Sequence, residues 1–268
     1  MSKRVRQLLS LLYLPWVFFK ERILRRGGVR ILMFHSIANE HVLGIDNRNV
    51  VELPPLAFRR LIRYLVPRYR IISLVELVEL LEHQIPLPAK TLVLTFDDGY
   101  ANNYHEALPL LSEFDLRATI FVAAGFIGKP GYLEESMLAP LLARHIDLEG
   151  HTVNHPVLSQ VKEEVAREEI TRGKELLAQL SGKPVTIFAY PKGKLQHYSP
   201  RVVELVREAG FRAACTTLRG TNTLKTPLFE LRRIGIDGSD SFFNFWLKLH
   251  GGYDWTGTLS RLRAGRKR

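Results

Sequence analysis

The ten residues 91–100, TLVLTFDDGY, join a buried strand to an acidic turn. Residues 91–94 are largely apolar, as expected of a strand covered on both faces in a parallel sheet. Asp97 and Asp98 then place two carboxylates at the edge of a core, where each loses water and repels the other. A cation would remove that cost, and Gly99 lets the backbone bend so that both side chains reach one site. The stretch predicts either a cation site or an ordinary acidic turn, because Asp-Gly is a common turn pair.

Strands and helices alternate along the rest of the chain, without a repeat. The predicted strands lie at 29–35, 69–72, 118–122, 146–148, 185–189, 211–216 and 231–236. The predicted helices begin near 55, 73, 103, 135, 161, 200 and 242. This alternation predicts a parallel α/β architecture, and 268 residues are enough for a single α/β barrel. In such folds, functional sites form in the loops at the carboxyl ends of the strands.

Two further polar clusters follow predicted strands. His151 and His155 lie four residues apart in 150–156, GHTVNHP, so one turn would put both imidazoles on one side. A His-x-x-x-His pair alone is weak evidence, but two histidines and one carboxylate with open positions form a catalytic metal set. The loop 189–193, AYPKG, predicts a tight turn whose backbone N–H groups could stabilise an oxyanion. Parallel strands would bring these clusters to one rim.

The charge of the chain is concentrated at its two ends. Of the formal net charge of +11, residues 1–30 contribute +7 and residues 261–268 contribute +5, which leaves −1 for the rest. A nucleic-acid-binding domain would carry its basic residues across a folded face, so we expect no nucleic-acid partner. Basic ends suit contact with an anionic membrane surface. The single cysteine, Cys215, excludes a disulfide framework and says little about compartment.

The N-terminal segment 1–28 combines apolar, aromatic and basic residues. Its apolar run, 8–19, is 12 residues long, which is too short to span a bilayer, and a second basic cluster follows it in place of a cleavage site. Tryptophan, tyrosine and phenylalanine between basic flanks are typical of a segment that lies in the membrane interface. The alternatives are a helix packed on the outside of the domain or a signal-anchor. We expect peripheral membrane association and that deletion of residues 1–26 abolishes it.

The three polar stretches, in this order, resemble the motifs of the polysaccharide deacetylase (NodB-homology, carbohydrate esterase family 4) family. Residues 95–100 match the first motif at every position, and 151–156 match the second, His-Ser/Thr-x-x-His. Residues 189–193 match the third in the form in which tyrosine replaces the arginine found elsewhere in the family. The resemblance runs from about 29 to 236 and is nearest to the branch that acts on biofilm poly-N-acetylglucosamine.

The resemblance implies a distorted (β/α) barrel and hydrolysis of N-acetyl groups on an amino-sugar glycan. It also implies a divalent metal, most often zinc, with cobalt or nickel as alternatives, which supplies Lewis acidity. By position, the implied metal ligands are Asp98, His151 and His155. Asp97 is implied as the general base that takes a proton from the attacking water. The N–H of Tyr190 would help to hold the oxyanion, with Pro191 beside it at the substrate.

The chain departs from the family pattern at the general acid. Many members carry a late Leu-x-His motif, and the nearest stretch here, 247–250, lies within or just beyond a predicted helix. In the biofilm branch a histidine follows the first strand, so His35 is the candidate acid, the alternative being a core histidine at a strand end. Arg233 resembles an arginine of that branch and is expected at the substrate side of the site, where it could steady Asp97.

The expected domains are the N-terminal segment 1–28, a catalytic domain 29–250 and a basic C-terminal tail 251–268. The leading function is a metal-dependent deacetylase of a polysaccharide or lipid-linked glycan. Its alternatives are a deacylase of an undecaprenyl-linked sugar, a glycosidase that uses Asp97 and Asp98 as its carboxylate pair, and a membrane-tethered glycan-binding protein. The glycosidase reading leaves the two histidines unexplained.

Overall fold

The computed structural model describes residues 3–23, 28–39 and 52–265. Its described part contains one sheet of eight parallel strands, in the order β7-β6-β5-β4-β3-β1-β8, with β2 paired to the first half of β3. The strands are β1 (Arg30–Phe34), β2 (Arg70–Ile72), β3 (Thr91–Phe96), β4 (Ala118–Val122), β5 (Ile146–Gly150), β6 (Ile187–Ala189), β7 (Ala213–Cys215) and β8 (Arg233–Gly235).

The sheet curls into a nearly closed barrel. A parallel bridge between Cys215 and Leu231 joins the end of β7 to the residues that lead into β8. Thr216 N–H donates to Leu231 O at 2.8 Å, and Leu231 N–H donates to Ala214 O at 2.9 Å. The distorted (β/α) barrel expected from the sequence is therefore confirmed, and the carboxyl ends of its strands share one rim.

Nine helices surround the strands or pack at the chain ends within the described residues. They are α1 (Lys3–Ile23), α2 (Pro55–Leu65), α3 (Leu74–Glu82), α4 (Leu108–Glu113), α5 (Glu135–Ala143), α6 (Glu163–Ser181), α7 (Pro200–Glu208), α8 (Phe242–Leu249) and α9 (Asp254–Gly265). Side-chain oxygens of Ser73, Ser199 and Ser241 accept backbone N–H bonds at the starts of α3, α7 and α8. Gly182 ends α6 in the left-handed conformation.

Alternation along the strands divides the apolar core in two. On β1 and β3, Leu32 and Leu94 pack into the cluster that includes α2 and α4. Their sequence neighbours Ile31 and Val93 instead pack with Phe121 and with α3. This separation follows from the two-residue period of a strand and is the reason that these segments are apolar without a break.

Both chain ends are helical and lie against each other. α1 packs on α8, where Leu14 joins Leu247 and Tyr253 in a small apolar cluster. Trp255 of α9 donates its indole N–H to Ser10 Oγ of α1 at 3.3 Å. Most of the expected tail 251–268 therefore belongs to a packed helix, a feature that its basic composition did not indicate.

Candidate functional site

The carboxyl ends of β3 and β5 bring three potential metal ligands together. Asp98 follows β3, while His151 and His155 follow β5. The Nε2 atoms of His151 and His155 lie 3.4 and 3.5 Å from Asp98 Oδ1. One ligand atom from each residue lies within 4.8 Å of the other two, and all three residues are buried. The two clusters that the sequence placed on one rim are in contact.

The hydrogen bonding of His151 fixes which ring nitrogen faces the cluster. Its Nδ1 lies 2.7 Å from the carbonyl oxygen of Ala189, at the end of β6. A carbonyl can only accept, so Nδ1 carries a proton and Nε2 is the ring nitrogen that faces Asp98. This is the arrangement of a metal-binding histidine whose second nitrogen is held by the protein.

The backbone around these ligands adopts conformations that most residues avoid. Asp98, Thr152 and His155 have φ values of +75°, +67° and +58°. Gly99, the residue expected to bend the backbone, has a φ of +80°. Left-handed geometry costs a non-glycine residue about 1–3 kcal/mol, most of all a β-branched threonine. Two of the three candidate ligands, Asp98 and His155, are therefore held in left-handed conformations.

Helix α6 holds the histidine loop in place, a role that the sequence did not reveal. Glu169 accepts the backbone N–H groups of Val153 and Asn154 at 3.0 and 2.8 Å. A Cβ on Gly173 would lie 2.6 Å from the carbonyl carbon of Thr152, so only glycine allows this close approach. The available signal was a lone glycine inside a charged helix, which usually has a packing or functional reason.

Asp97 does not join the cluster but pairs with Arg233. The guanidinium Nη1 and Nη2 atoms lie 2.5 and 2.7 Å from Asp97 Oδ1 and Oδ2, a bidentate contact. Arg233 also donates to Thr216 O at 3.0 Å. Arg233 is 0% exposed and Asp97 is 3% exposed, so the pair is screened from water. Arg233, expected at the substrate side of the site where it could steady Asp97, is buried and contacts Asp97 directly, so it positions that carboxylate.

Both aspartates remain ionised despite their burial. Burial alone would raise the pKa of Asp97, but the Arg233 guanidinium, together with His151, lowers it below its ordinary value. Burial also opposes ionisation of Asp98. A hydrogen bond from His151, together with the nearby charges of His35 and His155, outweighs burial and lowers the pKa of Asp98. The site therefore carries two carboxylates, one neutralised by arginine and one by histidines where a cation would bind.

His35 lies at the same rim, directly after β1. It is close enough to lower the pKa of both aspartates, and its Nδ1 is buried without a hydrogen-bond partner among the described residues. Asn103 donates to His35 O at 2.8 Å, and Asn102 accepts from Ile37 N–H at 3.1 Å. These two asparagines, which follow the acidic turn, were not singled out from the sequence.

The third motif is placed differently from its expected role. Tyr190 N–H donates to Cys215 O at 3.1 Å, which continues the pairing of β6 with β7 beyond Ala189. That N–H is therefore not free to hold an oxyanion, and the expectation for Tyr190 is corrected. Its side chain is buried, stacks on Tyr198 at 4.4 Å and donates to Phe229 O at 3.1 Å. Pro191 is buried as well.

The residues present fit a divalent cation. Two imidazoles and one carboxylate are a common ligand set for zinc and related ions when positions remain open. The proton on His151 Nδ1 directs Nε2 toward the cluster, and the other aspartate is balanced by its own arginine. Asp98, His151 and His155 would hold such an ion.

Comparison with known proteins agrees with this geometry. Residues 84–214 match the profile of the family described as Polysaccharide deacetylase. YxkH of Bacillus subtilis, named as a polysaccharide deacetylase, is 27% identical over 214 residues, which cover 78% of this chain and 73% of that protein. The Streptococcus pyogenes deacetylase PplD, solved in complex with acetate, superposes with a TM-score of 0.73 at 26% identity, covering 83% of this chain and 98% of PplD.

IcaB from Ammonifex degensii has the same fold, with a TM-score of 0.71 at 22% identity over 85% of this chain and 97% of IcaB. The profile match contains Asp97, Asp98, His151 and His155, the residues that meet at the rim. On these grounds residues 84–214 form a polysaccharide deacetylase domain, of the family whose members are hydrolases acting on the amide bonds of N-acetylated sugars.

Proposed function

We propose that the protein is a metal-dependent deacetylase that removes N-acetyl groups from an amino-sugar-containing glycan. The observation that carries the proposal is the Asp98–His151–His155 cluster beside a separate aspartate that arginine holds ionised. A protein that only binds a glycan would not need a buried carboxylate that has no role in packing. It would also not need ligands held in strained backbone conformations. The chemistry requires both a site for a Lewis acid and a base, and this rim provides them.

The residues of the site have separate roles in amide hydrolysis. Asp98, His151 and His155 bind the divalent cation, which when bound polarises the acetyl carbonyl and lowers the pKa of water. Asp97 accepts a proton from the attacking water. Arg233 fixes both carboxylate oxygens of Asp97, so the base meets the water in one orientation. The bidentate contact is strong because both partners are charged and buried.

His35 is our candidate for the group that protonates the departing amine. It follows β1, which lies between β3 and β8 and therefore places it beside both aspartates. Asn103 holds the carbonyl of His35 and Asn102 holds the N–H of Ile37, so the backbone that follows the His35 Cα is fixed. Replacing His35 with glutamine is expected to lower kcat more than tenfold, in the range of general acid catalysis, while metal affinity stays within about threefold.

The relatives, rather than any feature of this rim, support an N-acetylated glycan as the substrate. PplD is described as a deacetylase, and a Bacillus cereus relative, 26% identical over 130 residues, is named a peptidoglycan-N-acetylglucosamine deacetylase. The candidate substrates are an exopolysaccharide, peptidoglycan and a lipid-linked sugar such as an undecaprenyl-linked one. Acetate release measured across these three substrates would identify the class.

The glycosidase alternative is disfavoured by the pairing of the two aspartates. Asp97 is engaged through both oxygens by Arg233, and Asp98 faces two imidazoles. A glycosidase needs a carboxyl group that donates a proton and a second one across the scissile bond. Neither aspartate is in a setting that would keep it protonated, because the pKa of each is lowered.

The test is acetate release from N-acetylglucosamine oligomers by metal-stripped and metal-loaded protein. We expect activity only after Zn²⁺ or Co²⁺ is added. Asp98→Ala and His155→Ala should lose metal binding, measured by titration calorimetry, and activity together. Asp97→Asn should keep the metal and lose turnover. His83→Ala, which alters an exposed histidine outside the site, is the matched control. Full activity in metal-stripped protein would refute the proposal.

A further inference from the structure

Among the side chains of α1 that the structure describes, the buried ones lie on one face of the helix. Ser10, Leu14 and Val17 are the α1 residues with 0–6% exposure, and they recur at the spacing of one helical face. Ser10 accepts from Trp255, and Leu14 packs with Leu247 of α8. The helix is thus attached to α8 and α9 by a narrow stripe.

The opposite face of α1 is apolar and exposed. Six large apolar side chains fall within an arc of about 100° on a helix of 3.6 residues per turn. They are Val5, Leu8, Leu9, Leu12, Trp16 and Phe19, with exposures from 39% to 69%. Leu12, near the centre of the arc, is the most exposed. The described part of the chain leaves this outward α1 face uncovered, and such contiguous apolar surface marks an interaction site.

The charges around the outward α1 face limit what can cover it. Residues 1–30 contain eight Lys or Arg and one Glu, and the basic residues flank the apolar run at both ends. α1 has no acidic residue in its first turn, so nothing there offsets the N-terminal cations. Two copies of this face would bring like charges together. An anionic surface would instead be attracted to both flanks.

Trp16 favours a lipid surface in particular. Its ring is 51% exposed and stacks on Phe19 at 5.8 Å. Tryptophan is enriched at the level of the lipid headgroups because its ring is apolar and its N–H is polar. No helix among the described residues has both the length and the apolar character needed to cross a bilayer. A helix with one apolar face and basic flanks is suited to lie in the plane of the interface.

We propose that the outward α1 face docks on an anionic phospholipid bilayer, with α1 lying in the interface and the barrel attached through Ser10, Leu14 and Val17. The outward α1 face belongs to a helix that packs on α8 and α9. Asp98 and its neighbours lie instead at the carboxyl ends of the strands, so the two surfaces are separate. Docking would hold the deacetylase at a membrane, and the docking surface would have no role in the deacetylation reaction.

The experiment is flotation of the full chain with vesicles of phosphatidylcholine and phosphatidylglycerol in equal parts, compared with phosphatidylcholine alone. We expect tighter binding to the mixed vesicles and a loss of that preference in high salt. Leu12→Glu should weaken binding at least about tenfold, and the uncharged Leu12→Gln should weaken it less. Val165→Glu, at a comparably exposed apolar side chain of α6, should bind as the unaltered protein does.

Point substitutions are preferable to deletion of residues 1–26, because deletion would uncover Leu247 and Tyr253. The circular dichroism spectrum and the rate of acetate release from a soluble oligosaccharide should be unchanged in Leu12→Glu. The vesicle assay therefore tests the docking surface, and acetate release tests the proposed function independently. Equal binding of Leu12→Glu and the unaltered chain would overturn the proposal. So would the absence of binding to either vesicle, or a dimer in solution that Leu12→Glu converts to monomer.

Discussion

Replacement of Arg233 with methionine isolates the charge pair that holds the base. The substitution keeps most of the side-chain volume but leaves Asp97, 3% exposed, without the guanidinium that contacts both its oxygens. Removing one partner of a buried pair costs about 3–5 kcal/mol, because the remaining charge is desolvated and uncompensated. We expect the free energy of unfolding to fall by that amount and Tm to drop by about 6–20 °C. Acetate release should fall below detection.

The assay is urea denaturation of metal-stripped protein, since a bound ion would stabilise the folded state by mass action. The double variant Arg233→Met/Asp97→Asn should recover at least half of the lost stability, because no buried charge is left unpaired, and should recover no activity. Arg59→Met is the control, since Arg59 lies 2.9 Å from Glu113 in a pair that is more than 40% exposed on each side. It should cost less than about 1 kcal/mol. Equal effects of Arg233→Met and Arg59→Met would refute the reasoning.

Three further substitutions or measurements test the surroundings of the site. Gly173→Ala should destabilise the protein by about 1–3 kcal/mol in urea and weaken Zn²⁺ binding, although alanine favours helix, because its Cβ meets the backbone of Thr152; a more stable variant would contradict the packing. Burial raises the pKa of Cys215 to about 12, so its thiol should react with a disulfide reagent only after unfolding, and rapid reaction of folded protein would contradict its burial. Burial raises the pKa of Glu149 to about 7 from 4.5, so the folded state retains a proton that the unfolded state releases, and stability should fall as pH rises from about 4.5 to 7. Glu149→Gln should therefore gain about 3 kcal/mol relative to the unaltered chain between pH 4.5 and 8, and an unchanged difference would contradict this.

Most of the barrel was predictable because its strands have a strong local signal. Buried parallel strands are apolar on both faces, and 91–96 and 118–122 show that pattern with threonine as the only polar residue type. The C-terminal end was harder to predict: residues 254–265 form α9, although six of these twelve residues are polar or charged. α9 is held by contacts such as that of Trp255 with Ser10, 245 residues away, which no local pattern encodes.

The helix after the acidic turn shows a similar limit. A regular helix was expected from residue 103, but 103–107 form a π-helical segment before α4. Pro109 has no N–H, so it cannot continue an α-helical ladder. The local irregularity is where Asn103 reaches the backbone of His35. Irregular helices often occur at functional sites, and Pro109 is the one residue in the sequence that indicates this irregularity.

The metal cluster was predictable where its residues lie close in sequence to strand ends. Asp98, His151 and His155 were placed by two short motifs, and the rim of a parallel barrel brought them together. The role of Tyr190 was not predictable, because the hydrogen-bond partner of its backbone N–H depends on how far β6 pairs with β7. The sequence of 189–193 is compatible both with a Tyr190 N–H that is free and with one that is paired in the sheet.

The position of Arg233 shows how much of the chain the site needs. The family match covers residues 84–214, which contain the three ligands and Asp97. The guanidinium that holds Asp97 comes from β8, 136 residues later, and His35 comes from β1, before the match begins. β1 lies between β3 and β8 in the sheet, so it sets the distance from Arg233 to Asp97 and carries His35 to the same rim. A fragment limited to the matched residues would keep a cluster able to bind an ion but lose the arginine that orients the base. The proposed catalytic unit therefore extends from β1 through β8, so the strands that close the barrel would contribute to the chemistry as well as to the fold.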